Sequence, residues 1–397
     1  MTPPDLPLIL IGFGAVFFVG LIADWAGRHS PLPRVTLLLL AGLVVGRAGL
    51  DLMPDALVAL YGTISIVALT MVAFLLGGAL SVKVLRSQGR AILVTSLAVV
   101  GTSFTLVAGG LAAMGTGLST ALVLGAIACA TAPAATLDVI RQSRIDNAFT
   151  RRVSGIVAID DVWGLVVFSL AIVAAQSLEG MASDAGVLRE AAREIGGSVA
   201  LGLIVGLPAA YLTGRLSRNE PLRIEALGLV FLTAGAALMF EVSFLLAGMI
   251  AGAVIVNLAR HHTRAFHEIE GLQWPFSVVF FILAGAGLEL ASLMQIGALG
   301  AAYVGLRVLS RIAGAVLGSV LLRDGDRRGG ALVGAALMPQ AGVAIGMALV
   351  AASVLPGQAE TIMAVTIGST VLFELLGPPV TAWAIRKSAR DQASAAN

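Results

Sequence analysis

Ala158-Ile159-Asp160-Asp161-Val162-Trp163-Gly164 lies inside an otherwise apolar run at about residues 152–177. At 1.5 Å per helical residue the two carboxylates stand ~12 Å from the start of that run. A charge near a bilayer centre costs a few kcal/mol at least, so an acid inside a membrane helix is a functional candidate by default. Successive helical residues point ~100° apart, so one carboxylate can face a water-filled cavity while the other faces a neighbouring helix. A structural pair is the blander alternative. Two adjacent acids repel, however, and packing alone gives little reason to keep both. All of this requires that the run cross a membrane, which the remainder of the chain decides.

The chain has 397 residues, of which 12% are charged and 58% hydrophobic, and its mean hydropathy is +0.97. A soluble domain carries about 25% charged residues, so a water-soluble enzyme is excluded. The net charge of +2 leaves no broad basic surface for nucleic acid. The single cysteine, Cys129, excludes an intramolecular disulfide and a cysteine metal cluster. Met1-Thr2-Pro3-Pro4-Asp5 has no basic residue and precedes an apolar run too long for a cleavable signal core, so a retained first span is expected.

Apolar stretches long enough to span a bilayer fall at about 6–26, 33–50, 56–80, 91–114, 118–140, 152–177, 195–214, 223–240, 242–259, 272–290, 295–321, 330–352 and 357–385. The expected fold is therefore an all-α polytopic membrane protein of about thirteen transmembrane helices, with a possible surface helix near 178–194. Alternating the connectors between two faces puts 20 of the 25 Lys and Arg residues on one side. Arg47, Arg189 and Arg193 fall on the other, and Arg307 and Arg311 fall inside a span. The positive-inside rule then places the C-terminus in the cytoplasm and the N-terminus outside, in a plasma membrane that for a bacterium is the inner one.

Three further features are out of place in lipid. Arg311 is near mid-depth of its span, too deep for easy snorkelling, and needs a carboxylate; Asp160 or Asp161 matches it in depth. Arg307 shares its face by a spacing of four, with a structural role the simpler reading for it. Thr131-Ala132-Pro133 interrupts the fifth run, and Met338-Pro339-Gln340-Ala341-Gly342 interrupts the twelfth at similar depth from the opposite side. Broken helices at corresponding places in two halves of a transporter mark its substrate site. The runs at 91–177 and 295–385 each carry a break in their middle member and start on opposite sides, which makes them an inverted repeat.

With these residues in view the chain resembles the monovalent cation:proton antiporters, and specifically the cation:proton antiporter-2 branch, which includes bacterial sodium/proton antiporters. The matching pieces run along nearly the whole sequence. They are Leu32-Pro33-Arg34-Val35-Thr36 with Ala41-Gly42, Thr131 to Thr136, Ala158-Ile159-Asp160-Asp161, and Phe280 to Ala286. Arg307 to Gly314, Pro339 to Gly346, and Phe373-Glu374-Leu375-Leu376-Gly377-Pro378-Pro379 complete the series.

The resemblance implies inverted repeats with two crossed broken helices beside the ion site, a core ion-transport domain at 91–177 and 295–386 and a dimerisation or scaffold domain at 1–90 and 215–294. Residues 178–214 form a linker helix between them, and 387–397 a short cytoplasmic tail. It implies that Asp161 is the essential cation- and proton-binding carboxylate, Asp160 its salt-bridged neighbour, and Thr131 the broken-helix threonine beside the ion. Arg311 stands where many electrogenic members carry lysine. Arginine keeps its proton in proteins, so Arg311 is expected to be a fixed counter-ion to Asp160. The expected activity is sodium/proton exchange by alternating access, with proton and cation competing at Asp161. The expected cation ligands are Asp161, Thr131, carbonyls near Ala132, and Asp160. No cofactor, no enzymatic activity and no nucleotide-binding domain are expected. The partners are membrane lipid, a second copy in a homodimer, and the transported ions.

Residues of secondary interest are Pro133, Gln340, Glu374 and Arg307. Gln340 can hydrogen-bond freed backbone groups, and Glu374 can hold a broken helix through a hydrogen bond. Asp138 reads as a helix-end partner of Arg141, Trp163 and Cys129 as packing residues, and His261, His262 and His267 as a solvated loop able to sense pH. A potassium/proton exchanger or potassium efflux transporter of the same fold, and a sodium-coupled symporter of organic solutes, are the alternative functions.

Overall fold

The computed structural model describes residues 6–30, 32–180, 185–212, 221–259, 262–287, 297–322 and 326–396. Those residues form helices and connectors, with no β-strand among them. Uninterrupted apolar composition leaves the helix as the only way to satisfy every backbone group inside lipid. Among the described residues seven helical stretches are long and apolar enough to cross a bilayer: Leu6–Gly27, Asp55–Gly77, Arg86–Ala113, Ala148–Leu178, Ala192–Leu212, Gly297–Leu322 and Pro356–Ser394. Shorter apolar helices lie between them. The stretch expected to be a linker helix contains one of the seven, Ala192–Leu212.

By contacts the chain divides into two compact units, residues 1–83 with 194–288 and residues 84–193 with 289–397. The first unit contains α1 (Leu6–His29), α2 (Arg34–Val45), α3 (Asp55–Val58), α4 (Tyr61–Gly77) and most of α9 (Ala185–Leu212). It also contains α10 (Pro221–Met239), α11 (Phe244–Leu258) and α12 (His262–Ala286). Pro33 and Pro54, both in extended conformation, stand immediately before α2 and α3. The tightest packing in this unit runs through small residues. A methyl group on Gly252 would lie 2.1 Å from the Phe74 carbonyl oxygen, and one on Gly285 would lie 2.2 Å from that of Leu39. Glycine thus brings α11 onto α4 and α12 onto α2, backbone against backbone, which is how helices associate where no hydrophobic effect drives them together. Arg34 lies 3.9 Å from the Trp274 ring and 3.4 Å from Asp24.

The second unit contains α5 (Val82–Ala113) from residue 84, α6 (Leu118–Ile127), α7 (Pro133–Ser143) and α8 (Ala148–Leu178). It then contains α13 (Gly297–Leu322), α14 (Arg327–Ala336), α15 (Gly342–Val354) and α16 (Ala359–Ala396). Asn147 starts α8 with a reciprocal cap: its side chain accepts from the Thr150 N–H, and its own N–H donates to Thr150 Oγ1, both at 3.0 Å. Asp326 caps α14 by accepting the Gly329 N–H at 2.7 Å. Leu124, Ile127, Phe168, Ile172, Tyr303 and Met347 belong to one buried cluster that joins the two helix triplets. Gly334 sets α14 directly on α13, where a methyl group would meet the Arg311 carbonyl at 2.5 Å.

Candidate functional site at the crossed helix breaks

Helix α6 ends at Ile127, and the chain regains helical form only at Pro133. The run expected at 118–140 is thus interrupted at residues 128–132, and Pro133 opens α7. The first position of a helix has no use for the missing N–H, and the residue before a proline is pushed to extended backbone; Ala132 is extended at φ −112°, ψ 92°. Helix α14 likewise ends at Ala336 and α15 begins at Gly342, with Pro339 in the non-helical stretch between. The two interruptions meet, for the Ala132 N–H donates to the Pro339 carbonyl at 3.0 Å.

The last carbonyls of a helix lack intrahelical partners and form the negative end of its dipole. In lipid no water can serve them. Two arginines of α13, both fully buried, do so. Arg307 donates from Nη1 to the Met338 carbonyl at 2.9 Å and from Nη2 to that of Ala130 at 2.8 Å, while Nε reaches the Ala128 carbonyl at 3.3 Å. One guanidinium therefore bridges both breaks. Its flat face lies 4.2 Å from the Phe373 ring of α16. Arg311 turns Nη2 toward the carbonyls of Ala128, Cys129 and Ala130, and Nη1 donates to Asp160 Oδ2 at 3.1 Å. The other Asp160 oxygen accepts from Ser96 Oγ at 2.9 Å. Arg311 and Asp160 are both wholly buried; both Asp160 oxygens and both terminal nitrogens of Arg311 are engaged, while Arg311 Nε has no hydrogen-bond partner among the described residues.

Two neutral side chains complete the frame. Gln340 Nε2 donates to the Ile127 carbonyl, the last of α6, at 3.1 Å, and lies 3.4 Å from Tyr303 Oη. Thr381 Oγ1 donates to the Ala336 carbonyl, the last of α14, at 3.0 Å. Thr131 is buried, and its hydroxyl has no partner among the described residues. The Ala132 carbonyl accepts the Thr136 N–H at 3.2 Å. The backbone of Asp161 continues α8, and its side chain lies outside the described residues, as do His261 and the side chains of His262 and His267.

Glu374 is half-buried on α16, and among the described residues no hydrogen bond or ion pair reaches it. Phe373 and Thr381 of the same helix contact Arg307 and the Ala336 carbonyl. Asp138 is buried in α7. Cys129 is buried, with Sγ 3.5 Å from the carbonyls of Val100 and Gly125. The indole N–H of Trp163 is buried without a partner. Among the described residues no group of three or more His, Cys, Asp and Glu could hold a metal. Reading the sequence passed over Ser96, Tyr303, Phe373 and Thr381. The available signal was a polar or aromatic side chain within an apolar run, and such residues are too common there to single these out.

Comparison with known proteins bears on the family and the fold. Residues 13–387 match the family model described as sodium/hydrogen exchanger, transmembrane. The ammonium/H+ antiporter subunit AmhT of Alkalihalophilus pseudofirmus is 26% identical over 258 residues, which are 64% of each chain. The chain thus spans just under two thirds of that relative's length. Two structures of the sodium proton antiporter MjNhaP1 of Methanocaldococcus jannaschii share the fold. One, at pH 8, superposes with a TM-score of 0.70 at 20% identity, covering 95% of this chain and 97% of the other. The other, from electron microscopy, gives 0.72 at 19% identity, covering 95% and 96%. The apolar helices and these relatives make this a multi-pass membrane protein, and the chain belongs to the sodium/hydrogen exchanger family, within the monovalent cation:proton antiporter superfamily.

Proposed function

We propose that the protein is a secondary active antiporter that exchanges a monovalent cation, sodium in the first instance, for protons by alternating access. Asp161 takes either a proton or the cation, never both at once, and that competition is sufficient for exchange. One observation carries the reading above the rest: in a chain of this family, a fully buried Asp160–Arg311 pair stands against two crossed breaks. Both oxygens of Asp160 are engaged by Arg311 and Ser96, which leaves the exchangeable role to the next acid in α8. Arg311 cannot release a proton. With one carboxylate titrating, one proton moves per cation and the cycle carries no net charge.

In this reading residues 84–193 and 289–397 form the transport unit, and residues 1–83 and 194–288 form the scaffold and the contact of a homodimer. The asymmetry of Lys and Arg supports an inner-membrane protein with its N-terminus outside. Assignment to the cation:proton antiporter-2 branch rests on the motif series alone. A second cation has support of its own: the relative named for ammonium makes ammonium, and potassium with it, the alternative substrate.

Asp161→Asn tests the assignment in inside-out vesicles that carry a proton gradient. Addition of sodium, potassium or ammonium chloride should discharge the gradient in the wild type and leave it intact in the variant. Retained discharge in Asp161→Asn overturns the role of that residue. A sustained current on cation addition overturns the one-for-one stoichiometry.

A further inference from the structure

The guanidinium groups that steady the breaks also occupy the oxygens a cation would otherwise use. The carbonyls of Ala128, Cys129, Ala130 and Met338 face Arg307 or Arg311, and that of Ile127 accepts from Gln340. Pro339 accepts from Ala132, Ala132 from Thr136, and Ala341 from Ala344. A cation that comes to such carbonyls also meets the positive charge of two arginines. On either side of the hydrogen bond that joins the breaks stand Thr131, just before Ala132, and Gln340, just after Pro339. Thr131 is 1% exposed and Gln340 0%. Among the described residues each has a side-chain oxygen, Thr131 Oγ1 and Gln340 Oε1, without a hydrogen-bond partner. The Gln340 amide has no freedom to turn over, because only its NH2 end can donate to the Ile127 carbonyl. Its oxygen is therefore the end left bare. A buried amide or hydroxyl oxygen with nothing to accept costs stability, and a bound cation removes that cost.

We infer that Gln340 Oε1, of the second break, joins the Thr131 hydroxyl, which the family resemblance already implies, as a neutral oxygen ligand of the transported cation, and that Gln340 sets its affinity. The inference rests on the exchange reading above, with Asp161 as the charged ligand. It adds a residue of the second break to the site and makes Gln340 bifunctional: the amide nitrogen caps α6 and the amide oxygen binds the ion. Two neutral oxygens and one carboxylate are the hard, oxygen-type ligands such a cation takes, and they supply part of its coordination shell.

The test uses the full-length protein in proteoliposomes, with discharge of a proton gradient by sodium, potassium and ammonium chloride over a range of concentrations. Gln340→Met and Thr131→Val should each raise the half-saturating concentration of the transported cation about tenfold or more, with the maximal rate largely kept at saturation. Gln340→Glu, which retains an oxygen and adds a charge, should lower it below that of the wild type. Melting of the detergent-solubilised protein provides a reading that needs no transport. The cation that drives exchange should raise the wild-type melting temperature and have a reduced effect on both neutral variants. Unchanged half-saturation and an undiminished cation-dependent melting shift in Gln340→Met overturn the inference and leave the exchange reading intact. Failure of the wild type to discharge the gradient with any of the three cations overturns the exchange reading itself. If Gln340→Met does not fold, Gln340→Glu decides: half-saturation equal to or above the wild-type value rejects the ligand role.

Discussion

Residues 128–132 and 337–341 each let a membrane helix stop and restart, yet the two breaks are secured by different means. At the first, the carbonyls of four consecutive residues, Ile127 to Ala130, all face side-chain nitrogens, three of them guanidinium nitrogens of Arg307 or Arg311. At the second, a hydroxyl from Thr381, one arm of Arg307 and the Ala132 N–H serve the carbonyls of Ala336, Met338 and Pro339. The difference follows from α13. It packs directly on α14, with Gly334 against the Arg311 backbone, so its long side chains extend past that neighbour to the end of α6. Positive charge is thereby concentrated at the first break, beside Asp160. The second break is held mainly by neutral groups and by backbone packing. A helix end held by fixed charge stays in place when the site titrates, whereas one held by neutral hydrogen bonds can yield at smaller cost.

The largest expected effect comes from Arg311. Arg311→Met leaves Asp160 buried without its cation and removes a donor shared by three carbonyls. Breaking one side of a buried pair costs about 3–5 kcal/mol. The melting temperature in detergent should fall sharply, and Arg311→Met combined with Asp160→Asn should recover part of the loss, since the orphaned charge is then gone. A wild-type melting temperature for Arg311→Met would remove charge as the reason the first break is held. Backbone hydrogen exchange sharpens the comparison: protection should fall at residues 128–132 and stay near the wild-type level at 337–341.

Arg307→Met should cost somewhat less, about 2–4 kcal/mol. It leaves no carboxylate orphaned, but it removes charged hydrogen bonds to two segments at once and a cation–π contact with Phe373. Its signature is location. Exchange protection should fall at both breaks together, because this guanidinium alone joins the Ala130 and Met338 carbonyls. Arg307→Lys should be intermediate, as an ammonium is a point charge without the planar fork that spans both. Loss of protection confined to one break in Arg307→Met would show that the bridge does not couple them.

Much of this arrangement was legible in the residues, and what was not has a physical cause. Hydropathy marked the helices because lipid admits no other backbone solution. The depth of Asp160 matched that of Arg311, because each charge is too costly in that environment to stand alone, and the pair is formed. Pro133 and Pro339 marked the breaks but not their boundaries. A proline can open a helix as readily as end one, and the Ala-rich stretch before Pro133 gives no sign that α6 stops at Ile127. Arg307 read as a structural strut, and its spacing from Arg311 located its face. That it bridges two breaks depends on how closely α13 packs, a tertiary property set by Gly334, Gly330 and Gly314. Glu374, an acid deep in an apolar run, suggests a hydrogen bond by its cost there, and among the described residues no partner reaches it.

The smaller effects belong to the second break. Gly377 of α16 lies under Pro339, where an added methyl would stand 2.7 Å from the proline Cα. Gly377→Ala should therefore displace residues 337–341 and cost about 1–3 kcal/mol, with the first break protected as in the wild type. Smallest is Thr381→Val. Valine keeps the shape of threonine and removes only the hydroxyl that caps Ala336 at 3.0 Å, for a loss of about 0.5–1.5 kcal/mol. That hydroxyl also reaches the Gly377 carbonyl at 3.1 Å, a bond within its own helix that costs little to lose, so the effect should be confined to the end of α14. If the second break is held by neutral groups, Thr381→Val should shift the melting temperature by the same amount in low and high salt. For Arg311→Met, salt should not restore stability either, because its orphaned carboxylate is out of reach of counter-ions. The two variants then differ in size and place and agree in salt response. A salt-dependent Thr381→Val effect would mean that the second break is charge-held after all, and the contrast between the two would disappear.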